Sequence, residues 1–231
     1  MMDQHELMVD VLRAAGGHPV EPYLPEGYNG RRADILFADP PVVVEVKSIG
    51  SDRAASTEVA DALGVMFAKN ITNGAPVITE KTTIHLYVLP EVIAHKAMRI
   101  IGKRVQRESV DANKQIKATI AALGLEDPYG LLVFITPPFR LDRRSIVWLV
   151  NDAVKGGTCR SINGILVVET PLGTSGALPS ASNAFISFHS RDGRKFPPAL
   201  REAIGVAWGT VTGQRMHRAD EEDFAKLGAT S

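Results

Sequence analysis

With 231 residues, 45% of them apolar and 23% charged, the chain has enough hydrophobic side chain for a sizeable core and lacks the charge excess of a disordered segment. Its 26 basic and 26 acidic residues cancel, so no whole-molecule field draws it to polyanions, and any nucleic-acid contact must rest on a local basic patch. One cysteine, Cys159, leaves no partner for an intrachain disulfide and no thiolate cluster for zinc, which predicts a reducing, cytoplasmic setting. The longest apolar runs, at 131–135 and 165–168, fall far short of the ~20 residues that cross a bilayer, and the acidic opening around Asp3 and Glu6 does not read as an export signal.

Leu7, Met8, Val11 and Leu12 recur at helical spacing before Gly16-Gly17, predicting an amphipathic helix over residues 3–15. The proline-rich stretch 18–31 suits a short broken strand and a long turn. Strands follow at 32–37 and 42–49, joined by Asp39-Pro40-Pro41. A helix over 56–69, a strand over 82–89, and one long helix over 91–122 broken near Gly102 come next.

Buried strands at 129–136 and 164–170 flank a helix over 143–154, with Gly156-Gly157 as its cap. The small-residue stretch 172–183 reads as a surface loop, followed by a strand over 184–190, a turn at Asp192-Gly193 and a helix over 198–210. The last fifteen residues are polar and are expected to fray. This order of elements predicts an α/β fold with a mixed sheet flanked by helices. Residues 1–137 are expected to form its core, and 138–231 an α/β extension packed on the same sheet or completing a single domain.

The chemistry concentrates in the early hairpin. Alternation along an extended strand puts Val42, Val44 and Val46 on one face and Val43, Glu45, Lys47 and Ile49 on the other. A turn centred between Asp39 and Pro40 pairs Phe37 with Val42, and that register sets Asp34 opposite Glu45. Opposed residues have Cβ atoms roughly 4.5–5.5 Å apart, where two carboxylates repel unless something offsets them. A hard divalent cation such as Mg²⁺ does so, and Lys47 supplies a positive charge on the same face.

Asp34 with Glu45-Val46-Lys47, the only acid–any–lysine triplet in the chain, resembles the signature of the PD-(D/E)xK nuclease superfamily. The resemblance extends to the N-terminal helix, where Glu6, with Leu12 and Gly16 downstream, stands as the helical glutamate does in relatives of the Holliday-junction-resolvase type. Ala33 stands where the family name has proline. The likeness covers residues 5–49 and implies a restriction-endonuclease-like fold and a Mg²⁺-dependent nuclease, Mn²⁺ substituting, that hydrolyses phosphodiester bonds, with DNA the expected substrate. Asp34, Glu45 and the carbonyl of Val46 would hold the ion, Glu6 would assist, and Lys47 would orient the attacking water.

Phosphate contacts are expected from Arg31 and Arg32 before Asp34, from Lys103, Arg104 and Arg107 on the long basic helix, and from Arg191, Arg194 and Lys195 near the 192–193 turn. Tyr23 and Tyr28 are candidates for base stacking. A solvated helix face is the bland reading of the basic helix, and a cross-strand salt bridge that of Glu45 and Lys47. Two rivals remain: a non-cutting nucleic-acid-binding or scaffold protein on the same fold, and a module that binds an acidic protein partner. A homodimer is an open expectation. His5-Glu6 does not begin a zinc-protease motif, because Val9 stands four residues after His5, and no GxxxxGK loop is present.

Overall fold

Asp3 caps the first helix, its carboxylate accepting from the His5 N–H at 2.9 Å, and α1 (Gln4–Ala14) then buries Leu7, Met8, Val11 and Leu12. Gly16, at φ 96°, takes the left-handed conformation that turns the chain out of the helix into the sheet. The computed structural model describes residues 3–49, 56–78, 83–137, 141, 143–155, 159–170, 184–190, 194–214 and 216–218. Its strands are β1 (His18–Pro19), β2 (Ile35–Phe37), β3 (Val42–Ser48), β4 (Tyr129–Thr136), β5 (Gly164–Glu169), β6 (Ala184–Ser190) and β7 (Met216–Arg218). Five further helices are α2 (Thr57–Ala68), α3 (Glu91–Ile101), α4 (Lys103–Leu123), α5 (Arg143–Val154) and α6 (Pro198–Thr212).

The strands form one mixed sheet in sequence order: β1 and β2 pair antiparallel, as do β2 and β3; β3, β4 and β5 are parallel, β6 is antiparallel to β5, and β7 is parallel to β6. Period-two alternation gives the sheet two apolar faces. Val42, Val44, Val46, Leu131 and Val133 meet α1 and α6 on one side. Val43, Leu132, Phe134, Ile165 and Val167 meet α4 and α5 on the other. The chain is thus an α/β protein with helices on both sides of a mixed sheet, and the residues beyond 137 extend that same sheet. No helix among the described residues is long and apolar enough to cross a membrane.

Two sequence expectations change. Residues 82–89 were expected as a strand. Instead, 83–85 are irregular, Leu86–Val88 form a single 3-10 turn, and Thr82 lies outside the described residues. Both edges of β3 are taken, by β2 and β4, and Ile84 and Leu89 pack instead on a small separate core of Phe67, Ala75 and Ile93 between α2 and α3. Residues 217 and 218, expected to fray with the rest of the tail, instead belong to β7 (Met216–Arg218) on the edge of β6, and the remainder of that stretch lies outside the described residues. The stretch 172–183, the turn at 192–193 and Gly156-Gly157 lie outside the described residues.

Gly130 on β4 leaves no room for a side chain: a Cβ there would overlap the carbonyl oxygen of Ser161. Gly130→Ala is expected to lower stability by about 2 kcal/mol or more, because main chain cannot yield as a side chain does. Urea denaturation checks this, with the midpoint moving and the slope unchanged.

Candidate active site

The hairpin register is the one its turn implies: Phe37 pairs with Val42, Leu36 with Val43 and Ile35 with Val44. The ladder stops one residue before Asp34. There the Asp34 N–H donates to the Val44 carbonyl (3.1 Å), and its own carbonyl accepts from the Val20 N–H (3.2 Å). Its side chain then replaces a main-chain acceptor, Oδ2 taking the Val46 N–H at 2.7 Å. Asp34 is therefore held by backbone on both sides at the seam where β2 ends, which is why the strand predicted from residue 32 begins only at Ile35. Ala33, which stands at the family's proline position, donates its N–H to Thr119 Oγ1 on α4 at 2.7 Å, a bond proline could not make.

Glu45 and Lys47 share the α4 face of β3. The Lys47 Nζ lies 2.8 Å from Glu45 Oε1 and 2.8 Å from Gln115 Oε1, and the Gln115 amide nitrogen in turn donates to the Arg32 carbonyl at 3.0 Å. Gln115 thus ties the lysine to the segment that leads into Asp34. Glu45 is 2% exposed, and its Oε2 has no hydrogen-bond partner. Burial, reinforced by the negative charge of Asp34 and only partly offset by Lys47 and His5, pushes its carboxyl up to about 8.

His5 comes in from α1. Its Nε2 stands 3.4 Å from Asp34 Oδ2, and that hydrogen bond, together with the charges of Asp34 and Glu45, raises its pKa against the opposing effect of burial. Asp34→Asn should therefore return His5 toward its ordinary range, since the asparagine oxygen still accepts from Val46 but the charge is gone. Following the His5 ring protons by NMR across pH tests this; an unmoved titration would show that Asp34 is not the cause.

Glu6 is not brought to the site. It is exposed, and neither carboxylate of the pair nor Lys47 is its partner. The reason is helical phase: Leu7, Met8, Val11 and Leu12 fix the inward direction of α1, and at about 100° per residue Glu6 points roughly opposite to it while His5 lies at its edge. That signal was present in the sequence. Nothing in the sequence singled out Gln115.

Of the predicted phosphate contacts, Arg31 and Arg32 flank the site but are engaged, Arg31 with Asp111 on α4 (3.4 Å) and Arg32 with Glu21 (2.9 Å). Arg104 turns inward toward the Ser48 carbonyl (3.4 Å), at the end of β3. Lys103 and Arg107 are exposed, and with Lys114 and Lys117 they fall within one narrow arc of α4, a stripe roughly 21 Å long. Arg107 and Lys114 pair with Glu108 and Asp111, whereas Lys103 and Lys117 form no ion pair among the described residues.

The second patch is elsewhere. Arg194 pairs with Asp127 (3.0 Å) and lies over the Tyr129 ring, which packs on the α1 and α6 side of the sheet, away from Glu45 and Lys47. Lys195 beside it is exposed, and Arg191 lies outside the described residues. Tyr28 donates to the Arg31 carbonyl (2.7 Å), and Tyr23 is 51% exposed.

Among the described residues no group of three or more His, Cys, Asp and Glu side chains is gathered to hold a metal. Asp34 and Glu45 stand close enough for the charge of one to act on the other, and two carboxylates are the hard oxygen donors Mg²⁺ takes from protein when it keeps several waters. The unpartnered buried Oε2 of Glu45 fits such an ion. No protein-family model matches the chain, and no curated protein and no solved structure matches it.

Proposed function

We propose that this chain is a metal-dependent nuclease of the PD-(D/E)xK type that hydrolyses phosphodiester bonds in DNA. The observation that carries the reading is Glu45: a buried carboxylate with one oxygen clamped by Lys47, the other without a partner, and the negative charge of Asp34 beside it. Such an arrangement is costly for folding alone, and an isosteric apolar residue would serve the core better.

Asp34, Glu45 and the Val46 carbonyl would hold Mg²⁺, which supplies Lewis acidity toward the scissile phosphate and an acidified water. The chain's own residues do the rest. Lys47, fixed by Glu45 and Gln115, keeps one of its three N–H bonds for the attacking water or a phosphate oxygen, where its charge offsets the negative charge that grows in the transition state. The α4 stripe of Lys103, Arg107, Lys114 and Lys117 runs along the helix that carries Gln115 and supplies a track for the substrate backbone. The Arg194 patch, on the other side of the sheet, has no part in this reading.

The test is cleavage of DNA of several shapes with Mg²⁺ or Mn²⁺, and with EDTA as control. Cutting that requires the ion and stops with EDTA supports the reading. Salt-dependent DNA binding with no cutting in either metal would assign the chain to the non-cutting binders instead.

A further inference from the structure

Past Asp34, strand β3 has an open edge. β2 accompanies β3 only as far as Val44, whereas β4 follows it through Ser48. Along an extended strand the N–H and C=O of one residue point to the same side, and that side alternates from residue to residue. The Ile49 N–H donates to the Ile135 carbonyl on β4 (3.0 Å), and the Val46 N–H donates the other way, to Asp34 Oδ2 (2.7 Å). The Val46 carbonyl and both main-chain groups of Ser48 therefore lie on the open edge, with Asp34.

The order of groups along that edge points to a ligand. First come the Asp34 carboxylate and the Val46 carbonyl, both acceptors suited to a cation. Next comes the Ser48 N–H, on a half-buried residue and with no acceptor among the described residues. A main-chain donor in such a place is ordinarily paired, with protein, ordered water or a ligand. Arg104 then takes the Ser48 carbonyl (3.4 Å), which brings a guanidinium to the end of the edge and occupies an acceptor that an added strand would need. Acceptors at one end and donors at the other match a metal ion together with the anion bound to it.

We propose that the Ser48 N–H holds a non-bridging oxygen of the scissile phosphate, next to the ion held by Asp34, Glu45 and Val46. The inference rests on the nuclease reading and adds to it a phosphate contact that no side chain supplies. The sheet fixes this donor before substrate arrives, so it needs no reorganisation as charge develops on the phosphate.

Ser48→Pro deletes the donor without removing a bond of the sheet; Ser48→Ala keeps it and serves as the reference. In single-turnover cleavage with Mg²⁺, Ser48→Pro should be about 10- to 100-fold slower than Ser48→Ala, the loss expected of a hydrogen bond to a charged group. Urea midpoints establish that both variants fold. A second readout needs no variant: amide hydrogen exchange of the wild-type chain, followed by NMR, with a DNA that it cuts and Ca²⁺ in place of Mg²⁺. The Ser48 amide should exchange about tenfold or more slowly in the complex than in the free chain, whereas Ile49, already bonded to β4, should change little. If the wild type cuts DNA, a folded Ser48→Pro as fast as Ser48→Ala, or a Ser48 amide whose exchange DNA leaves unchanged, would overturn this inference and leave the nuclease reading standing. A wild type that cuts nothing with either Mg²⁺ or Mn²⁺ would overturn the reading itself and the inference with it.

Discussion

Replacing Lys47 with alanine is expected to lower metal-dependent cleavage by about 10²- to 10³-fold or more while leaving the fold intact. The loss follows from geometry: Lys47 is the only cation among the described residues within hydrogen-bond distance of Glu45, and it shares the face on which Glu45 and Gln115 converge. Removing one partner of a buried ion pair ordinarily strands a charge and costs about 3–5 kcal/mol. Here no charge is stranded at neutral pH, because burial and Asp34 already push the Glu45 carboxyl up to about 8 and it keeps its proton when Lys47 is removed. The variant should therefore unfold near the wild-type denaturant midpoint at neutral pH yet fail to cut. Undiminished cutting by a folded Lys47→Ala chain would remove the lysine from the mechanism.

The second large effect is the pH dependence of stability. An unfolded glutamate ionises near 4.5 and Glu45 in the folded chain near 8, so between those values the folded state holds the extra proton. Stability contributed by this group is fully present below about 4.5 and is lost progressively as pH rises through about 8. Glu45→Gln cannot ionise; relative to wild type it should gain on the order of a few kcal/mol by the alkaline end of that window, with a correspondingly flatter profile. The His5 contribution has the same sign, present at low pH and lost as pH rises, but half-exposure makes it smaller. Saturating Mg²⁺ should flatten the wild-type profile as well, because the ion binds the ionised carboxylate and holds it against reprotonation. Urea midpoints measured across pH, with and without Mg²⁺, test both statements. A wild-type profile that matches Glu45→Gln at every pH would show that Glu45 is not held neutral.

The hairpin was legible because its information is local. Asp39-Pro40-Pro41 fixes where the chain turns, the turn fixes the register, and the register decides that Asp34 reaches the strand position beside Glu45. Alternation then sends Glu45 and Lys47 to one face with Val43, and Val42, Val44 and Val46 to the other, as the two cores show. Helical phase was equally available for α1, and the apolar stripe of Leu7, Met8, Val11 and Leu12 already turns Glu6 outward; the family pattern drew attention to an acid where the physics favoured its neighbour His5.

Other features depend on contacts that no local pattern encodes. Gln115 meets Lys47 across 68 positions of sequence because α4 crosses β3, and Ala33 meets Thr119 for the same reason. The segment 82–89 has strand-forming residues but no free edge of β3 beside it, so Ile84 and Leu89 serve a helical core instead. Arg194 is basic and follows the Asp192-Gly193 pair that reads as a turn in the sequence, yet the sheet separates it from the site.

The central claim is that Asp34, Glu45 and Val46 hold a divalent ion beside Lys47. Crystals equilibrated with Mn²⁺ and measured for anomalous scattering test it directly. The account predicts a peak within coordination distance of both carboxylates and of the Val46 carbonyl, absent from Glu45→Gln crystals treated in the same way. Protein that cuts DNA with Mn²⁺ while its crystals show no peak there, or one bound by other residues, would contradict it.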